Sequence, residues 1–328
     1  MLRLPPFEYV AATSLDSAVE RLAAEPHAMV VSGGTDLYAN MKQRLFTPPT
    51  LIGLRAIPDL RFILFNEVAG LTIGATTTIT DIATSAVVRR HYPALANAAE
   101  LVSTPQLRNM GTIGGNLCLD TRCNYYNQNL DWRKALGFCM KKDGDVCKVA
   151  LSSPKCVAVN SSDTAPVLQA FGARVRLRGP QGEREIPIAD FYRNDGMFAW
   201  NKAPGEILSR VLVPPPPAGT RSAYRKLRLR NSFDFPIVSV AAVVVRNEAG
   251  VCTDARVVIN AVASQPLEIP LAAQALIGSA LDASALQAAA EAAFALGKPL
   301  DNTSGSIPYR KRMIRVFARR ALEDCAAA

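Results

Sequence analysis

Histidine is nearly absent: only His27 and His91 occur in 328 residues. A Ser-His-Asp triad or a histidine-rich metal site would have to use one of them, and neither sits in a recognisable motif. Both are expected at the surface or at a cap. Long apolar runs are missing too. The longest, Pro236 to Val245, is about half the ~18 residues a membrane-crossing helix needs, and it reads as a buried strand. The first eight residues (Met-Leu-Arg-Leu-Pro-Pro-Phe-Glu) hold no continuous apolar segment. No secretory signal is therefore expected, and the protein is placed in the cytoplasm. With 49% hydrophobic residues spread along the chain, disorder is excluded for most of it, and the length suggests two or three domains.

Positive charge is in excess, at +9. It gathers late, in Arg221, Arg225, Lys226, Arg228 and Arg230, and again in Arg310, Lys311, Arg312, Arg315, Arg319 and Arg320. The second group lies on an expected C-terminal helix with few aromatics beyond Tyr309 and Phe317. Solvated faces, subunit contacts or an anionic cofactor account for these clusters better than nucleic acid. Neither nucleic acid nor membrane is expected as a partner.

Ser14 can cap a helix carrying Leu15, Val19 and Leu22 on one face. Ala28 to Val31 reads as a short strand, broken by Gly33-Gly34, with a helical pattern resuming at Asp36. Leu51–Leu54, Arg61–Phe65 and Leu71–Ile73 read as strands, followed by helices from Thr80 and over Tyr92–Val102. Leu117 to Asn160 lacks apolar periodicity, and a stretch of that length needs something other than a core to hold it. Further strands are expected at Arg174–Leu177, Ser222–Leu229, Ile237–Arg246 and Ala255–Ala261. Helices are expected at Leu271–Ile277, Ala283–Leu296 and Tyr309–Ala326. The run Pro214–Pro217 reads as a linker at a domain boundary.

Two glycine segments carry chemistry. Val30-Val-Ser-Gly-Gly-Thr-Asp-Leu37 is neither a P-loop nor a dinucleotide fingerprint. Paired glycines at a strand-to-helix turn still leave backbone N–H groups pointing outward, where a phosphate can bind. Thr112-Ile-Gly-Gly-Asn116 repeats the pattern. Together they suit a pyrophosphate held from both sides by main-chain amides.

The seven cysteines are uneven: Cys118, Cys123, Cys139, Cys147 and Cys156 share the aperiodic stretch, whereas Cys252 and Cys325 stand apart. Without an export signal, such clustering points to a metal centre or redox chemistry. The spacings match no compact ferredoxin or zinc-finger pattern. On the residues alone, an iron–sulfur cluster and a structural four-cysteine zinc site stand equal.

The two glycine segments, with Ser162-Asp163 and Pro166 after them and Phe7-Glu-Tyr before, resemble the FAD-binding subunits of the xanthine oxidase family of molybdenum hydroxylases. The basic strand Arg221–Arg230 is similar to the one opening that family's C-terminal domain. The resemblance implies an α+β chain with a two-subdomain FAD-binding fold of the PCMH/VAO type and a C-terminal α+β domain as in carbon monoxide dehydrogenase flavoproteins. The expected spans are 1–55, 56–217 and 218–328, with an insertion at about 117–160. It implies FAD contacts from Val30, Val31, Ser32, Gly33, Gly34, Thr35, Asp36, Leu37, Thr112, Ile113, Gly114, Gly115 and Asn116. Asp163 is implied on the ribose or adenine side, Lys226 near the flavin, and Val102 and Leu208 as apolar packing.

Most such subunits pass from the second glycine motif to Ser-Asp within about ten residues, whereas here 46 residues separate Asn116 from Asp163. That insertion resembles the one in the β subunits of 4-hydroxybenzoyl-CoA reductase, which carries a 4Fe-4S cluster. The resemblance selects iron–sulfur over zinc and Cys123, Cys139, Cys147 and Cys156 as ligands, with Cys118 in the flavin loop. It further implies a molybdenum-cofactor large subunit, a 2Fe-2S small subunit, a dimer of heterotrimers and reduced ferredoxin as electron donor. No catalytic side chain is expected, since redox chemistry belongs to the cofactors. The alternative is the FAD subunit of another molybdenum hydroxylase, delivering electrons to NAD or another acceptor.

Overall fold

Ser14 and Ser17 cap one another reciprocally, Ser17 N donating to Ser14 Oγ at 3.1 Å and Ser14 N to Ser17 Oγ at 3.2 Å, and so start the helix Leu15–Ala24. In this computed structural model, which describes residues 2–327, that helix is a crossover between parallel strands. Residues 1 and 328, the outer limits of the first and last expected spans, lie outside the described residues. Strands β1 (Glu8–Ala11) and β2 (Met29–Val31) flank β3 (Thr50–Gly53) in a parallel sheet. The helix expected from Asp36 runs Leu37–Lys42 and stops there, because Arg44 adopts a left-handed conformation at φ 60°.

A second sheet is antiparallel, ordered β4-β5-β8-β6-β7 from β4 (Ile63–Asn66), β5 (Gly70–Gly74), β6 (Arg174–Gly179), β7 (Gly182–Pro187) and β8 (Ile207–Val213). Helices Ile79–Thr84, Ala86–His91 and Pro93–Glu100 contribute to its core, the first two capped by the Thr78 and Ser85 hydroxyls. The helix Thr164–Ala170 is buried at all seven positions, so it has no amphipathic stripe to announce it in the sequence.

The third sheet, ordered β12-β11-β10-β9, comprises β9 (Thr220–Leu227), β10 (Val238–Arg246), β11 (Cys252–Asn260) and β12 (Leu267–Glu268). Strand β10 is covered on both faces. Ala241 and Val243 join the core of the second sheet; Val238, Val240, Ala242 and Val244 join the core built with the helices Pro270–Leu276, Ala283–Leu296 and Ile307–Ala327. Double coverage explains why its sequence, interrupted at Ser239, is a near-continuous apolar run rather than an alternation. No described helix is long and apolar enough to cross a membrane.

Between the helix Ile113–Leu117 and Asn160 the chain is irregular apart from the short helix Leu130–Ala135. Its anchors are polar. Buried Arg133 donates to the carbonyls of Gln128 (3.3 Å), Gln43 (3.2 Å) and Arg44 (3.1 Å). Arg122 and Val159 exchange two backbone hydrogen bonds of 2.8 Å. On the other side, Asn302 accepts from Asn124 N (2.9 Å) and donates to Val157 O (2.6 Å).

Candidate functional site

The first glycine segment leaves β2 at Val31 and turns at Gly34, whose φ is +69°. Among the described residues, the amides of Gly33, Gly34, Thr35 and Asp36 meet no protein acceptor. They form the anion-ready nest the sequence suggests. A Cβ on Gly33 would lie 1.9 Å from the Met110 carbonyl oxygen, so this loop rests directly on the backbone that enters the second motif. Gly33→Ala is therefore expected to cost about 1–3 kcal/mol, as overpacking does, read as a lowered unfolding midpoint.

The second segment behaves differently. Thr112 caps the short helix Ile113–Leu117. The amides of Ile113, Gly114, Gly115 and Asn116 donate to Thr77 O, Ala75 O, Thr112 Oγ1 and Thr112 O. The expected grip by amides from both sides is thus corrected: only the first loop has amides to offer, because the second consumes its own in capping and packing. What the second loop presents is its side chains. Asn116 Oδ1 accepts from Ser162 Oγ (2.7 Å), Thr164 Oγ1 (2.7 Å) and Thr164 N (3.3 Å). The obligate backbone donor fixes the amide orientation, which leaves Nδ2 for the space in front.

That space is a cavity of about 700 Å³, within the range of small-molecule and cofactor sites. Its wall contains Val30 through Leu37, Val102, Thr112, Gly115, Asn116 and Asp163. Ile113, Gly114, Leu208 and Lys226 lie outside the wall: Ile113 and Leu208 belong to the core, and Gly114 packs on Ala75. Ser32 Oγ, Ser161 Oγ and Trp200 Nε1 are buried in the wall without a protein partner. Buried polar atoms are ordinarily satisfied. With Asp120 Oδ2 and Arg122 Nε, which are buried and unpartnered in the same wall, five orphans stand around one cavity that also holds free amides; they fit a polar cofactor with a pyrophosphate, and FAD is of that kind. Sequence reasoning did not single out Ser161, Trp200, Arg122 or Lys141 as part of this wall; Ser161 alone had a signal, as the neighbour of Ser162-Asp163.

Asp163 is held from behind. Lys226 Nζ donates to its Oδ2 at 2.8 Å and to Leu101 O at 2.9 Å, while Tyr224 Oη donates to Oδ1 at 2.6 Å. Burial pushes the Asp163 carboxyl up, against the opposing pull of the Lys226 ammonium and the Tyr224 hydroxyl. Lys226 neutralises a wall carboxylate rather than facing the cavity itself.

Beside the cavity lies the cysteine pocket. Cys123, Cys139 and Cys156 pack in one buried cluster with Leu45, Tyr126 and Ala158, and Cys147 is buried as well. All four are free thiols. Burial pushes the Cys123 thiol up to about 12, and Cys156, Cys139 and Cys147 push it further in the same direction. Cys123 is therefore within electrostatic reach of the other three. Among the described residues, no group of three or more His, Cys, Asp or Glu side chains is arranged to hold a single metal ion. Lys141 separates the two sites: it lines the cavity, donates to Asp120 Oδ1 (2.6 Å) and Gly196 O (2.7 Å), and Gly196 N donates to Cys156 O at 2.8 Å.

Residues 5–216 match the family described as the FAD binding domain in molybdopterin dehydrogenase, and residues 222–325 the CO dehydrogenase flavoprotein C-terminal domain. The chain is 32% identical to the carbon monoxide dehydrogenase medium chain of Afipia carboxidovorans over 322 residues, covering 98% of this chain and 97% of that one. It is 36% identical to the aldehyde oxidoreductase FAD-binding subunit PaoB of Escherichia coli over 256 residues, 75% and 78% of the two chains. The solved CO dehydrogenase from Oligotropha carboxidovorans superposes with a TM-score of 0.82 at 30% identity, covering 99% of both chains. With an amide nest and orphaned polar groups around a cofactor-sized cavity, and with both family domains spanning nearly its whole length, this chain belongs to the FAD-binding subunits of the molybdenum hydroxylase family.

Proposed function

We propose that this chain is the electron-relay subunit of a cytoplasmic molybdenum hydroxylase-family complex, holding FAD in the cavity and a 4Fe-4S cluster on Cys123, Cys139, Cys147 and Cys156. The supporting observation is the shared wall: Cys123, Cys139 and Cys156 pack in one buried cluster with Leu45 and Tyr126, which also line the cavity, and Cys147 is buried as well. When bound, FAD exchanges electrons singly or in pairs and an iron–sulfur cluster exchanges them singly. The chain itself binds, orients and excludes water; it needs no acid–base residue of its own.

Within that class, the insertion's likeness to 4-hydroxybenzoyl-CoA reductase supports a reductive role. Reduced ferredoxin would be the donor, and 4-hydroxybenzoyl-CoA would lose its phenolic hydroxyl to give benzoyl-CoA at molybdenum in a large subunit. A 2Fe-2S small subunit would complete a dimer of heterotrimers. A second reading is favoured by the 36% identity to an aldehyde oxidoreductase subunit: oxidation of an aldehyde, with electrons leaving through this chain to an acceptor.

Anaerobically purified chain is expected to hold about four irons, with matching sulfide, and one FAD. Serine at any one of the four cysteines should remove the iron, and Cys118→Ser should not. Iron-free anaerobic material that keeps its flavin would sink the cluster. Assay of the complex then separates the readings: turnover of 4-hydroxybenzoyl-CoA with reduced ferredoxin supports the first, and aldehyde-dependent reduction of an acceptor supports the second.

A further inference from the structure

Four carboxylates stand in the cavity wall: Asp36, Asp120, Asp163 and Asp234. Its cations, among the described residues, are Arg122, Lys141 and Lys142, and all three come from the insertion that carries the cysteines. Arg122 is the one that reaches the first glycine loop. It is ion-paired with Asp36, whose other oxygen accepts from Asn40 Nδ2 at 2.9 Å. Asp36 stands where a helix cap would stand, yet its side chain caps nothing. Its carboxylate is left beside the four free amides, and a bare carboxylate there would repel the phosphate those amides attract.

We infer that Arg122 is a positioning residue of the FAD site: by neutralising Asp36 it makes the first glycine loop able to accept a pyrophosphate, and so makes the insertion part of flavin binding as well as of the cysteine pocket. Arg122 is well placed for that. Its backbone is locked to Val159 by two hydrogen bonds of 2.8 Å, and its guanidinium lies over the Phe235 ring at 4.2 Å. Its Nε is buried in the wall with no partner, a donor left for a ligand oxygen. The inference rests on FAD occupying this cavity, not on the identity of the metal in the cysteine pocket.

The test is equilibrium binding of FAD, and separately of ADP, to deflavinated full-length chain, followed by fluorescence. Arg122→Leu is expected to weaken both ligands by about tenfold or more, within the usual span of coupling between sites. Adding Asp36→Asn to Arg122→Leu should restore most of the loss, because the repulsive carboxylate is gone. Arg122→Lys, which keeps the charge but not the fork, should fall between. Unchanged FAD affinity in Arg122→Leu, or a loss that Asp36→Asn fails to relieve, overturns the inference. So does a loss for FAD with none for ADP, which would place Arg122 at the flavin ring. Iron content, measured on the same samples, reports the cysteine pocket independently: low iron in the unmodified chain counts against the cluster and leaves the Arg122 result standing.

Discussion

Lys226→Met is expected to destabilise the folded chain by about 3–5 kcal/mol, the usual cost of leaving one partner of a buried ion pair uncompensated. The Lys226 side chain is 1% exposed and that of Asp163 5%. With the ammonium gone, Tyr224 Oη at 2.6 Å is the side-chain donor left to the carboxylate. Burial already pushes the Asp163 carboxyl up, and removal of Lys226 takes away the largest influence holding it down. A carboxyl whose folded pKa exceeds its unfolded value favours the folded state while protonated and loses that contribution as pH rises through the folded pKa. The deficit of Lys226→Met should therefore shrink on acidification and widen towards alkaline pH. Asp163→Asn added to Lys226→Met should recover a substantial part of the loss at neutral pH, since no charge is then buried alone. Chemical denaturation of the unmodified chain and the two variants across pH tests this; equal losses in the single and double variants would show that packing, not charge, dominates. Because Asp163 lines the cavity, flavin retention should follow the same order.

Arg310→Met is expected to cost about 4 kcal/mol, several unsatisfied buried carbonyls at roughly 1–3 kcal/mol each with partial relief from water. Arg310 is fully buried and donates to Ile237 O (3.1 Å), Leu300 O (2.6 Å), Ala261 O (2.6 Å) and Asn302 Oδ1 (3.3 Å). It thus ties the helix Ile307–Ala327 to the start of β10, the end of β11 and the segment between the helices. Burial lowers its pKa to about 10, so it stays charged through neutral pH. Asn302 passes the effect on, since it bonds to Asn124 and Val157, each next to an expected cluster ligand. Arg310→Met should therefore release iron to a chelator faster as well as unfold earlier. Exposed Arg312→Met, two residues away, should change stability by less than about 0.5 kcal/mol. Equal unfolding midpoints for the two variants would refute this account.

Arg310 also marks where sequence reasoning stops. It stands in a run of basic residues on an amphipathic helix, and nothing local separates it from Arg312. The run reads as a solvated face, yet Arg310 is its buried anchor, while Arg315 and Arg319 pair with Glu291 and Glu323. The strands β1, β7, β8 and β12 escaped the sequence reading as well. Three of them are edges: β1 is largely exposed, β7 (Gly-Glu-Arg-Glu-Ile-Pro) is charged and largely exposed, and β12 is two residues long. Such strands carry little apolar signal to read.

Local features were legible because local geometry writes them into the chain. Caps at Ser14 and turns at Gly33-Gly34 follow from backbone sterics, and the apolar run of β10 from burial on both faces. The glycine motifs therefore located the cavity wall from Val30 to Leu37 and at Thr112, Gly115 and Asn116. Packing alone decided the rest: that Gly33 is glycine to clear Met110 O, that the second loop spends its amides internally, and that Lys226 serves Asp163. It also decided that Arg122 meets Asp36 across 86 positions of sequence. The physical reason is common to all four. A hydrogen bond or ion pair depends on which atoms the fold brings within about 3 Å, and periodicity along one segment carries no information about a partner on another.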